Sequence, residues 1–157
     1  MANNLFDGRK LRMLTVVDCY SRESLAIHVG QSLKGEDVVA VLNQIVAQRG
    51  KPQTIKTDNG SEFISKVMDK WAYERSVELD FSRPGKPTDN AMVESFNGRL
   101  RQECLNKHWF MSLQHVQIKI EAGRQHYNES RPHSALNWQS SNEFVRSSLF
   151  ARATSNN

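Results

Sequence analysis

QTIKTDNG, residues 53–60, is the stretch on which the fold turns. Thr54, Ile55 and Thr57 are β-branched and favour a short strand. Asn59-Gly60 then supplies a tight turn, so the strand ends at Asp58. A carboxylate at the C-terminal end of a strand stands where α/β sheets collect their ligands.

Working outward, Val38, Leu42, Ile45 and Val46 recur at spacings of four, three and one, which is one face of a helix. Arg49, Gly50 and Pro52 close it. Before that helix, LRMLTVVD (11–18) and SLAIHVG (24–30) flank a polar Tyr-Ser-Arg-Glu turn and predict an antiparallel hairpin. After Asp58, Ser61 is the expected cap of a helix carrying Phe63, Ile64, Val67, Met68 and Trp71. VELDFSR (77–83) reads as a further strand, and Pro84-Gly85-Lys86-Pro87 as a loop. Thr88 or Asp89 should cap a helix from about Asn90 to Leu105. A last helix carries Leu113, Val116, Ile120 and Tyr127 on one side. The order β-β-α-β-α-β-α-α is that of a mixed α/β layer fold. Residues 1–145 form its one domain, and 146–157 an unstructured tail.

Bulk properties narrow the class. The chain has 157 residues, enough for one domain with a hydrophobic core. No apolar run approaches the roughly 18 residues that span a bilayer, and the N-terminus lacks the order of a secretory signal. No membrane partner is expected, and the compartment implied is the cytoplasm. The net charge of +4 and pI near 9.2 are compatible with a polyanionic partner without requiring one. Cys19 and Cys104 match no metal spacing and read as two reduced thiols. Trp71 and Trp109 read as core or near-core residues, and His28 and His115 as structural or solvent-facing ones.

A second carboxylate completes the candidate site. On the helix after the loop, Val93, Phe96 and Leu100 form the apolar stripe. Glu94 lies about 100° round from Val93 and shares its face with Asn90, Asn97 and Arg101. Singly, each acid has an ordinary explanation. Asp58 before Asn-Gly is turn chemistry, and an early helix Glu answers the helix dipole.

Their context goes further. Thr57-Asp58-Asn59-Gly60-Ser61-Glu62-Phe63 is followed by Pro87-Thr88-Asp89-Asn90-Ala91-Met92-Val93-Glu94-Ser95-Phe96-Asn97, with 35 residues between Asp58 and Glu94. Tyr127-Asn128-x-x-Arg131-Pro132-His133-Ser134-Ala135-Leu136 and Glu143-Phe144 follow, and Val17-Asp18-Cys19-Tyr20-Ser21-Arg22-Glu23 precedes. Together these resemble the integrase core shared by retroviral integrases and the second-reading-frame (OrfB-type) insertion-sequence transposases.

The resemblance implies a ribonuclease-H-like fold, and Mg²⁺ or Mn²⁺ held by Asp58 and Glu94 within bridging range of one another. It implies cleavage and strand transfer of DNA, at element ends and target, by a homo-oligomer in a bacterial, nucleoid-associated setting. Arg101, Lys86 and Arg99 would contact DNA. The family's third carboxylate comes first, in a Trp-x-x-Asp-Phe segment before Leu5-Phe6-Asp7-Gly8-Arg9, and on family spacing falls before Met1. The expectation is therefore a core short of its first Asp and of most of its central strand. Asp18 is a poor substitute, and Asp7 reads as a turn residue. Lacking that central strand, the sheet should show a slot, close it by direct pairing, or accept another chain's strand. Gly123 replaces the family's usual Trp, and Ser141 a Pro. Two other readings stay open: a non-catalytic remnant that binds DNA or joins intact transposase, and a nuclease on the same fold. Arg131 and His133 fit either packing of the tail or assembly contacts.

Overall fold

The computed structural model describes residues 2–5, 7–83, 85 and 91–155. Five strands and five helices follow in order: β1 (Ala2–Asn4), β2 (Lys10–Val17), β3 (Ser24–Gly30), α1 (Gly35–Arg49), β4 (Thr54–Thr57), α2 (Lys66–Arg75), β5 (Glu78–Phe81), α3 (Ala91–Glu103), α4 (Leu113–Ser130) and α5 (Ser141–Ser155). The expected α/β layering is present, with helices over both faces of the strands.

Strand β2 explains the layering. Its side chains alternate between two cores, as the period of two requires. Leu11 and Met13 enter one with Phe96, Leu100, Val116 and Ile120, from α3 and α4. Leu14 enters the other with Val38, Leu42, Met68 and Trp71, from α1 and α2. Trp71 is buried as expected, its indole N–H donating to Asn43 Oδ1 at 2.8 Å. Trp109 is not: it is 78% exposed, because it follows the helical turn Leu105–Lys107 and leaves the buried position beyond it to Phe110.

The predicted hairpin forms, with Met13 opposite Val29 and Thr15 opposite Ile27. Strand β1 adds three residues antiparallel to β2, from Asn4 opposite Lys10 to Ala2 opposite Arg12. Strands β4 and β5 pair in parallel as a separate two-stranded sheet. Among the described residues no strand bridges Leu14–Val17 of β2 to β4, and those two strands do not pair directly. The two strands expected to flank the central strand therefore belong to different sheets among the described residues.

Helix starts follow local chemistry, with two differences from expectation. Helix α2 is capped by Ser65, whose Oγ accepts the Met68 N–H at 3.2 Å. Ser61 stands instead in a turn where Phe63 and Ile64 both donate to the Gly60 carbonyl. Helix α5 runs to Ser155, so the stretch from 146 expected to lack order is largely helical. Its start is a capping box: the Glu143 N–H donates to Ser140 Oγ, and the Ser140 N–H to Glu143 Oε2. The α3 caps proposed at Thr88 and Asp89 lie outside the described residues. At the junction of α1 and α2, a Cβ on Gly35 would sit 2.5 Å from Ser65 Oγ, so only glycine allows this approach.

Helix α4 is tied to the outer edge of β3 by Asn128. Its side chain accepts the Ser24 N–H at 2.8 Å and donates to the Ser24 carbonyl at 3.0 Å, and Arg124 Nη1 donates to the same carbonyl at 2.8 Å. Replacing Asn128 with Ala leaves the buried Ser24 N–H without its partner, so a loss of about 2–3 kcal/mol is expected in urea unfolding. Gly123→Ala should act oppositely. An added Cβ meets only Cys104 Sγ, at 4.0 Å, and the helix gains about 1 kcal/mol, a rise of a few degrees in Tm.

Candidate functional site

Asp58 leaves the end of β4 exposed to solvent. Its Oδ1 accepts the Gly60 N–H at 2.8 Å, which closes the turn and fixes the carboxylate. The turn is anchored to the segment after β5, where Asn59 Nδ2 donates to the Ser82 carbonyl at 3.0 Å and the Ser82 N–H to the Thr57 carbonyl at 2.8 Å. Gly60 leaves the space between two acidic side chains open. A Cβ would stand 2.8 Å from Glu62 Oε1 and 2.9 Å from Asp58 Oδ1. Glu62, a motif residue that sequence reasoning did not single out for the site, thus brings its carboxylate to the same turn as Asp58. A signal existed in the sequence, since a glycine midway between two acids lets their side chains fold over it.

Glu94 lies in the first turn of α3, exposed and with no ion-pair partner among the described residues. Phe96 and Leu100 are buried as the stripe predicted, and Val93 half-buried. One turn beyond Glu94, Asn97 Oδ1 accepts a hydrogen bond from Thr15 Oγ1 on β2 at 2.8 Å. That bond fixes the rotation of α3 against the sheet, and hence the direction in which the Glu94 face looks. It joins residues 82 apart, which sequence spacing could not foresee.

The other acids named from sequence are engaged. Asp18 Oδ1 accepts the N–H groups of Tyr20 and Ser21 at 2.7 and 3.0 Å, and its Oδ2 lies 3.5 Å from Arg49. Asp7 is a turn residue bonded to the Arg9 backbone and side chain, and the Arg9 N–H chiefly holds its pKa below the usual range. Among the described residues no three metal-type side chains form a group.

The cations divide. Arg101 is exposed, seven residues from Glu94 and on the same helical face. Arg99, five residues on, lies about 140° round the helix from Glu94. It lines a small cavity between α3 and α4 with Phe96, Leu100, Gly123 and Tyr127. Lys86 lies outside the described residues.

The C-terminal motif packs against α3. Tyr127 meets Phe96 edge-on at 5.0 Å, Arg131 pairs with Glu103 of α3 at 2.7 Å, and His133 stacks edge-on against Tyr127 at 5.3 Å.

Two models described as integrase core domain match residues 4–87 and 75–140 of the chain. The chain belongs to the integrase core domain family. Its relatives include a 31.7 kDa protein of insertion element IS407 from Burkholderia multivorans, 47% identical over 90% of this chain and 51% of that one. A 39.2 kDa protein of insertion element IS476 from Xanthomonas euvesicatoria is 45% identical over 83% of this chain and 38% of that one. The chain thus spans about half or less of the length of these relatives. Its fold matches the HTLV-2 integrase catalytic core, solved in complex with magnesium, with a TM-score of 0.71 at 17% identity over 92% of this chain and 90% of that one. The integrase core here is accordingly ribonuclease-H-like. No helix among its described residues is long and apolar enough to cross a membrane.

His133 supplies a pH test of the packed motif. Burial chiefly, then the charges of Arg22 and Arg99, hold its imidazole pKa below the ordinary value. A depressed histidine pKa means that the unfolded chain binds more protons between the two pKa values, so stability is full above about pH 6.5 and lost as pH falls. Tm should therefore decline from about pH 7 to 5. His133→Gln should flatten that decline, because the carboxylates of lowered pKa titrate further down.

Proposed function

We propose that this integrase core holds Mg²⁺ or Mn²⁺ between Asp58 and Glu94 and positions DNA there for phosphoryl transfer, as in strand cleavage and joining by a transposase. The observation that carries the reading is the state of the two carboxylates. Both are exposed and have no cationic partner among the described residues, while Asp18 and Asp7 are consumed by turns and arginines. Exposed carboxylate oxygens fit these hard cations, and Mg²⁺ commonly takes one or two carboxylates and keeps several waters. A cation bound there supplies Lewis-acid polarisation of a phosphoryl oxygen and a lowered pKa for the attacking hydroxyl.

The protein's own part is placement. The Gly60 N–H fixes Asp58 at the strand end, and the Thr15–Asn97 bond sets the rotation of Glu94. Arg101 on the Glu94 face, with Lys86, would receive the DNA backbone. Self-association in the active complex belongs to the same reading. The HTLV-2 core is solved in dimeric and trimeric forms.

Two ligands leave a cation loosely held, so residues 1–157 alone should bind Mn²⁺ at roughly millimolar affinity and perform no strand transfer with Mg²⁺. Paramagnetic resonance of free Mn²⁺ tests the first part. Asp58→Asn and Glu94→Gln should each weaken binding about tenfold or more, and Asp18→Asn should leave it unchanged. Equal binding by all three variants would sink the assignment. Robust strand transfer by the chain alone would require another carboxylate to complete the set. Duplex binding without transfer is the outcome expected of a chain that serves as a DNA-binding partner to longer copies.

A further inference from the structure

Lys10 and Arg12 stand two residues apart on one face of β2, with Leu14 next in the same row. Leu14 is buried under α1 and α2, whereas both cations are exposed. Across the ladder on β3, Gly30 lies opposite Arg12 and half-buried His28 opposite Leu14. On β1, Asn4 lies opposite Lys10. The His28 ring leans toward Arg12. A Cβ on Gly30 would stand 3.5 Å from His28 Nε2, so the imidazole borders the space directly across from Arg12.

Cations on a strand commonly guard a sheet edge or pair with an acid across the ladder, and neither account serves here. Over Lys10–Arg12, β2 is bonded to β1 on one side, and it pairs with β3 on the other from Arg12 onward. The residues opposite the two cations are Ala2, Asn4 and Gly30, none of them acidic. Arg9, beside Lys10 in sequence, is held by Asp7 at 2.8 Å, and Arg49, Arg124 and Arg131 each have a carboxylate partner. The side chains of Lys10, Arg12 and His28 have no hydrogen bond or ion pair among the described residues. Two like charges in one row of a strand repel each other, and an anion laid across them relieves the repulsion.

We infer that Lys10, Arg12 and His28 form a binding site for the phosphate backbone of duplex DNA on the open face of this sheet. At about 3.4 Å per residue the two cations leave β2 about 7 Å apart, and their long side chains can close on neighbouring phosphates of one strand. A His28 ring nitrogen can donate to a phosphate oxygen beside Arg12. A row of cations bordered by Asn4, Gly30 and His28 suits a polyanion, whereas a protein partner needs apolar area to bury. The inference rests on the DNA reading above for its ligand and on strand register for its place. Leu11 and Met13, which alternate with these residues, pack with α3 and α4, so the site lies on the sheet face opposite the helix that carries Glu94. One DNA segment can be held there while another occupies the Asp58–Glu94 edge, as the joining of two segments requires. The contact reads charge and not base sequence.

The test uses the full chain and reads the site at His28 itself. The His28 ring protons are followed by NMR while a mixed-sequence duplex is titrated in at several salt concentrations, with anisotropy of the same duplex reporting total binding. In wild type the ring signals should move to saturation, with an affinity that falls as salt rises. Lys10→Gln and Arg12→Gln should each weaken that response several-fold and reduce its salt slope by about 0.9, the share of one phosphate contact. Lys10→Arg, which keeps the charge, should keep the slope, and Arg101→Gln should leave the His28 curve as it is. Duplex binding that Arg101→Gln weakens but that never moves His28 would overturn the site and leave the functional reading standing. A His28 response that depends on Lys10 and Arg12, in a chain whose total binding ignores Arg101→Gln, keeps the site and removes DNA from the Glu94 face. An acidic peptide that moves His28 as strongly as the duplex does overturns the assignment to DNA, and so does a wild type that binds no duplex.

Discussion

Strand β2 is buried on both faces, and the rest of the structure depends on that constraint. Met13 and Leu14 are adjacent in sequence and lie in different cores. A one-residue slip against β3 would exchange the two sets and bring Thr15 into an apolar core. The register is held from both ends: the Asp18 turn closes one, and the short pairing with β1 covers the other. Because α3 is bonded to Thr15 and α4 to the neighbouring strand at Ser24, the helix that presents Glu94 inherits its position from β2.

The site is built from elements of unequal rigidity. Asp58 leaves a parallel pair of strands through a turn closed by its own side chain, so its place is set locally. Glu94 is set at a distance, by one side-chain hydrogen bond, the Phe96–Tyr127 contact and the Arg131–Glu103 pair further along α3. The C-terminal motif, open between packing and assembly on sequence grounds, is thus in contact with α3 within the chain. Arg131 and His133 pack around Tyr127, and Asn128 closes the edge of β3.

What could be read beforehand was local. Periodicity located α1, the end of β4 and the buried stripe of α3, because those patterns repeat within one or two turns of chain. The strand-end Asp and the helix Glu were legible for the same reason. Ser61 and Ser65 both precede apolar residues, and only the bonds to Gly60 show that the chain turns once more before α2 begins. Trp109 was expected inside on residue type alone, yet the short helical turn before it directs Phe110 inward. The Thr15–Asn97 bond and the Asn128 clamp join residues far apart in sequence, and no spacing rule reaches them. The capping box at Ser140 and Glu143 was local and present in the sequence. It shows why the chain continues as helix past residue 145.

The junction of Gly35 and Ser65 has a consequence for how such a chain can diverge. Ser65 serves two masters: its hydroxyl caps α2, and its bulk leaves room for nothing larger than hydrogen at position 35. A change at Gly35 is tolerable only after both Ser65 and Val67, whose Cγ1 would stand 2.8 Å from the new Cβ, have given way, and a smaller residue at 65 gives up the cap. The two positions are therefore locked into a joint evolutionary history, in which neither can drift first without passing through a less stable ancestor.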